Sequence, residues 1–164
     1  MAFMHTDLAN RSSAAVLAVA AAASLAACSS GDEASGAVTE TGPDGIEMTV
    51  DRTAGLAEGD AVQVDISGLD TTSGYYLALC GVTNPEGQPF PDCTGDRSGE
   101  TQKWFRNPEG TQQINGDGTV STTLTITPKG EAIDCREAEC AVKLFGDHRE
   151  GFYDIVQVPI TLAK

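Results

Sequence analysis

Positive charge is scarce in this 164-residue chain: 10 Lys and Arg stand against 24 Asp and Glu, a formal net charge of -14 with a pI of about 4.2. Such a surface repels phosphates, so direct nucleic-acid binding is not expected. Aromatics are also few, at 5% with a single Trp, and only two His occur. No Gly-rich strand-to-helix phosphate motif is present, and no Ser sits in a nucleophile-elbow context, so enzyme chemistry finds little support. The longest apolar run, Ala14 to Ala27, is shorter than the ~20 residues a membrane span needs. Eighteen Gly and seven Pro, with no long helical periodicity, favour an all-β domain with many turns.

That apolar run ends in Leu25-Ala26-Ala27-Cys28, which resembles the lipobox of bacterial lipoproteins. Residues 1–27 are therefore expected to be a lipoprotein signal peptide, exported by the Sec or Tat route, with Cys28 taking the lipid. The rival is an ordinary secretory signal with an A-x-A-like cleavage site, and the n-region offers only Arg11 and His5 against Asp7. Residues 28–44 are small, polar and acidic, a flexible tether whose random-coil span is roughly 20 to 24 Å. A domain over 45–164 would then face outward from the extracytoplasmic side of the membrane, held there by lipid rather than by its acidic surface.

Removing Cys28 leaves Cys80, Cys93, Cys135 and Cys140, an even number in an oxidising compartment, which reads as two disulfides. Three pairings are possible; the local one closes short loops with the least rearrangement. Zinc is disfavoured by the spacings and by the single remaining histidine, His148, so no metal or cofactor is expected. From Ile46 onward the hydrophobic pattern has period two. Val62, Val64 and Ile66 alternate with polar residues, and similar runs appear at 46–50, 75–80, 119–127, 140–145 and 155–162, where Pro159 suits an edge. Six or seven such strands bury their apolar faces by packing as two sheets.

Gly55-Leu56-x-x-Gly59, Cys80 after Tyr75, the turn Asn115-Gly116-Asp117-Gly118 leading into Ser121 to Thr125, and Asp134-Cys135-x4-Cys140-x-Val142-x-Leu144 together resemble the neocarzinostatin family from about Met48 to Leu162. The resemblance implies a secreted actinobacterial protein with a seven-stranded immunoglobulin-like antiparallel β-sandwich, two local disulfides and a cleft for a small chromophore. Four departures alter that cleft, one being the loop between the first cysteine pair, where Gly81, Val82, Thr83 and Asn84 replace the family's aromatic and apolar contacts and Phe90 comes later between Pro89 and Pro91. The stretch from Thr127 to Asp134 is too short for the family's aromatic ribbon, 93–115 is longer and carries Trp104 and Phe105, and ligand-facing positions after Cys140 become Ala141 and Phe145. An enediyne site is thus not carried over.

Recognition is expected in loops at one end of the sandwich, around Trp104 and Phe105, flanked by Lys103 and Arg106, together with Phe90, Phe145, His148 and Phe152. The alternative is that Trp104 and Phe105 cap an open end of the sandwich. The loop from Gly146 to Gly151 reads as a polar hairpin tip, and of Tyr75 and Tyr76 one is core and the other surface, Tyr75 being the natural core residue. His148 as a base, and acidic pairs such as Asp147 with Glu150, are better explained by a loop histidine and by chance in an acidic chain. The expected function is a monomeric, non-enzymatic envelope lipoprotein that binds a small apolar or aromatic molecule. The competing expectation is a protein-interaction module, which flat aromatic exposure would favour.

Overall fold

A computed structural model describes residues 36–97 and 99–164. The lipidation candidate Cys28, segment 1–27 and residues 28–35 of the expected tether lie outside the described residues. Eight strands are seen: β1 (Val38–Thr41), β2 (Glu47–Val50), β3 (Ala61–Ser67), β4 (Tyr75–Gly81), β5 (Gln102–Phe105), β6 (Val120–Thr125), β7 (Cys140–Gly146) and β8 (Asp154–Ile160). They form two four-stranded antiparallel sheets, ordered β1-β2-β3-β6 and β5-β4-β7-β8.

The alternating pattern puts Met48, Val50, Val62, Val64, Ile66, Val120 and Leu124 of the first sheet against Tyr75, Leu77, Leu79, Val142, Leu144, Val156 and Val158 of the second. This is the expected two-sheet sandwich, since each sheet has one apolar inner face that only another sheet covers. Both disulfides are local, Cys80–Cys93 and Cys135–Cys140. Pro159 lies on β8, an edge strand, where its missing N–H breaks no ladder.

Two strands go beyond the six period-two runs read from the sequence, making eight where six or seven are expected. Val38–Thr41, within the stretch expected as tether, pairs with β2 in register Val38↔Val50 to Thr41↔Glu47. An edge strand needs backbone pairing more than buried side chains, so its polar composition conceals it. Gln102–Phe105, expected as a loop, pairs with β4.

Candidate functional site

The outer face of the β5-β4-β7-β8 sheet carries a cluster of rings centred on Tyr76. Period-two alternation turns Tyr75, Leu77 and Leu79 into the core and Tyr76, Ala78 and Cys80 outward. In register, Tyr76 stands between Trp104 on β5 and Phe145 on β7. Ring centroids lie 6.3 Å from Trp104, 5.7 Å from Phe145, 6.1 Å from His148 and 6.3 Å from Phe152, the last nearly parallel at 9°. Trp104 and His148 are 5.5 Å apart, and Phe90 meets Phe152 edge-on at 5.9 Å. These are spacings at which aromatic pairs attract. Phe145 is the buried floor beside Ala78 and Cys80; Tyr76, Trp104 and Phe152 are half-buried, and Phe90 and His148 are exposed.

Five of the six expected ligand residues, Trp104, Phe90, Phe145, His148 and Phe152, therefore meet in one place. Phe105 does not. As the strand neighbour of Trp104 it must point to the opposite face, and it is fully buried in the inter-sheet core. Tyr76, the centre of the cluster, was foreseen only as the surface member of a Tyr pair.

A buried carboxylate fixes the cluster. Asp147 Oδ2 accepts from the Trp104 indole Nε1 and from Arg106, each at 3.0 Å, while Oδ1 accepts from the backbone N–H of Arg149 at 2.8 Å and of Glu150 at 3.2 Å. Four donors thus saturate a side chain with no solvent exposure. Burial alone would push this carboxyl up, but the bonds from Trp104, the Arg149 amide and Arg106 outweigh it and hold it below its ordinary value. Gly74 is required beneath: a Cβ there would overlap the Asp147 carboxylate and Arg106. The Asp147 carbonyl also accepts from Glu150 and Gly151, making the tight turn that returns Phe152 to the shelf. Phe152 does so with φ of 60°, a left-handed conformation costing a bulky residue about 1–2 kcal/mol, which its stacking on Tyr76 and its edge contact with Phe90 offset.

The Tyr76 hydroxyl and His148 Nδ1 share a 2.8 Å hydrogen bond. Burial raises the phenol's pKa, the Asp147 charge adds to the effect and Arg97 opposes it, so the hydroxyl stays protonated at neutral pH.

A second buried group braces the loop that carries Phe90. Lys143 points outward from β7 yet is fully buried, its Nζ donating to Val82 O at 3.3 Å, Asn84 Oδ1 at 2.9 Å and Asp154 Oδ2 at 3.0 Å. Asn84 also donates to Asp154, so the loop after β4 is tied down across β7 and β8. Lys143 does not stand out in sequence, and Asp147 does so only as a pair with Glu150 that chance explains, because neither residue gives a sign of its distant partners.

Two grooves lie away from the rings. One of about 460 Å³ runs between β1 and β8, lined by Glu40, Thr41, Asp154, Gln157 and Pro159; another of about 260 Å³ lies on the first sheet between Thr49 and Ser121. Among the described residues no group of three or more His, Cys, Asp or Glu side chains is placed to hold a metal ion.

Comparison with known proteins agrees with this geometry. A Corynebacterium glutamicum protein named thiamine biosynthesis protein X is 46% identical over 114 residues, covering 67% of this chain and 60% of that relative's length. The solved structure of macromomycin shares the fold, with a TM-score of 0.53 at 20% identity over 72% of this chain and 99% of its own. The solution structure of apokedarcidin gives a TM-score of 0.41 at 16% identity, over 78% and 99%. Residues 48–162 match the neocarzinostatin family model, a span that takes in β3 to β8, all of β2 but its first residue, both disulfides and every ring of the cluster but not β1, and the chain belongs to the neocarzinostatin family.

Proposed function

We propose that this domain binds a flat, apolar or aromatic small molecule non-covalently on the outer face of the β5-β4-β7-β8 sheet, and that a lipid on Cys28 holds it at the extracytoplasmic face of the membrane. The observation that carries the reading is the Tyr76-centred ring cluster, whose Trp104 is clamped by a buried carboxylate rather than left to rotate. Rings fixed in advance lose little entropy when a flat ligand stacks on them. The family to which the chain belongs is one of small-ligand-binding apoproteins. The name of the Corynebacterium glutamicum relative adds a hint of ligand size, since the pyrimidine and thiazole rings of thiamine chemistry are flat heteroaromatics of the kind such a shelf stacks.

Binding without catalysis suits the residues present. All four cysteines of the domain are joined in disulfides, which leaves no thiol nucleophile and fits an oxidising compartment outside the cytosol. A protein partner is the second reading, favoured by the exposed rims Phe90 and Tyr153.

Titrating the intact protein with quinoline, a neutral flat heteroaromatic, tests the reading through the emission of Trp104, the sole Trp. A saturable change that Tyr76→Ala abolishes is expected; an emission that never responds would overturn small-molecule binding here. For the anchor, Cys28→Ala should release the protein from membrane fractions, and retention would contradict it.

A further inference from the structure

A central strand pairs along both of its sides, whereas an edge strand turns half of its backbone groups outward. On β8 the outward set is fixed by two bonds at the ends of β7. Val82 donates its N–H to Glu139 O at 3.0 Å and Gly146 donates to Tyr153 O at 2.9 Å, so Ala141, Lys143 and Phe145 pair toward β4 while Cys140, Val142 and Leu144 pair toward β8. Val156, Val158 and Ile160 are therefore taken up by β7, and Gln157 and Pro159 turn their backbone groups to the side of the sandwich. Pro159 has no N–H to leave unpaired; Gln157 presents both an N–H and a C=O.

The chain itself covers the rest of that edge. At one end Gly42 packs so closely on Ile155 that a Cβ there would fall 2.5 Å from Ile155 O, and at the other Thr161 donates to Thr53 O at 2.8 Å and accepts from Leu56 at 3.1 Å. Between these stops lies the groove of about 460 Å³, with Glu40 and Thr41 of β1 as its far wall. Among the described residues no backbone bond crosses from β1 to β8. Gln157 is unsatisfied a second time, since its side-chain Oε1 is buried with no hydrogen-bond partner. Unpaired polar groups are rare enough in folded proteins to need a reason, and here they gather on one residue.

The groove is also acidic. Glu40 and Asp154 line it and no Lys or Arg does; Asp154 is matched to Lys143, while Glu40 has no ion pair among the described residues. A second copy of this chain, with its own net charge of -14, would bring more carboxylates to the same place. We propose that the β8 edge docks an extended, lysine- or arginine-bearing peptide segment of another protein as an added strand. Its main chain bonds the Gln157 N–H, the Gln157 carbonyl and the Pro159 carbonyl, and its basic side chains lie against Glu40.

The probe is acetyl-Val-Lys-Val-Lys-Val-amide added to the intact protein, with binding followed by calorimetry and by hydrogen exchange at the Gln157 amide. Saturable binding that slows this exchange about tenfold or more is expected, because an outward N–H exchanges freely until a strand covers it. The same peptide with Glu for Lys should not bind, nor should the form N-methylated at every residue, which keeps the charge and loses the main-chain donors. Gln157→Pro takes away the outward N–H without touching the β7 ladder and should weaken binding about three- to tenfold, the range for one hydrogen bond. Glu40→Gln should weaken it by a smaller factor that disappears at high salt. A lysine peptide that does not bind, an affinity unchanged by Gln157→Pro, or an N-methylated peptide that binds as well would overturn the inference, the last by showing charge attraction alone. A dimer seen by sedimentation, with the Gln157 amide protected before any peptide is added, would overturn it in favour of self-pairing.

Discussion

The two outer faces of this sandwich are built on the same backbone plan and differ in nearly everything else. On the β1-β2-β3-β6 sheet, outward positions are short and polar, and they satisfy one another: Thr39 bonds Thr49 at 2.7 Å, Ser121 bonds Asp65 at 2.6 Å, and Gln63 bonds Ser121 at 2.8 Å. On the β5-β4-β7-β8 sheet the same outward positions hold Tyr76, Trp104 and Phe145, or small residues such as Ala78 and Ala141. A face of hydroxyls and carboxylates is content in water. A face of rings is not, and it persists only because buried polar hubs, Asp147 and Lys143, tie loops across it. The inner faces make the fold; the contrast between outer faces singles out the candidate site.

The contrast breaks most severely at Asp147. Asp147→Ala leaves Arg106 and the Trp104 indole without their shared acceptor, and denaturant unfolding should show a loss of about 3–5 kcal/mol, with Trp104 emission shifting red. The same group sets a pH signature. Its folded pKa lies below the ordinary 3.8, so its contribution is complete above about pH 4 and disappears as pH falls through the lowered value. Asp147→Asn should flatten that acid limb of the stability curve, and a limb of unchanged steepness would show that the hub is not Asp147.

Next in size, Tyr76→Ala removes the centre of the ring cluster and should cost about 2–3 kcal/mol while abolishing ring binding. Asp154→Ala withdraws one acceptor of three from Lys143 and should cost about 1–2 kcal/mol. Its more telling effect is on the loop carrying Phe90, whose amide exchange should rise. The smallest change belongs to the opposite face: Thr123→Ala, on the exposed polar sheet, should stay within about 0.5 kcal/mol and leave ligand binding untouched. A binding defect there would erase the distinction between the faces.

Much of the fold was legible from alternation. Val62, Val64 and Ile66, or Val156 and Val158, mark buried faces wherever they occur, and of the three cysteine pairings open in sequence the favoured local one is the one observed. What escaped detection has one physical cause: structure that depends on a partner segment rather than on the composition of the segment itself. Val38–Thr41 becomes a strand only because β2 supplies a ladder, and Phe105 parts from Trp104 only once Gln102–Phe105 is recognised as extended. At the candidate site, the ring types drew attention to Trp104, Phe145, His148, Phe152 and Phe90, which the structure brings together. The residues that hold them did not, since Asp147 and Trp104 are 43 positions apart, and Lys143 and Asn84 are 59.

The most direct measurement is a map of backbone and indole N–H resonances of the isotope-labelled protein during titration with quinoline. Saturable shifts confined to Tyr76, Trp104, Phe145, His148 and Phe152, with Gln63, Ser121 and Thr123 unmoved, are the predicted result. Shifts spread equally over both sheets, or centred on the groove between β1 and β8, would contradict it.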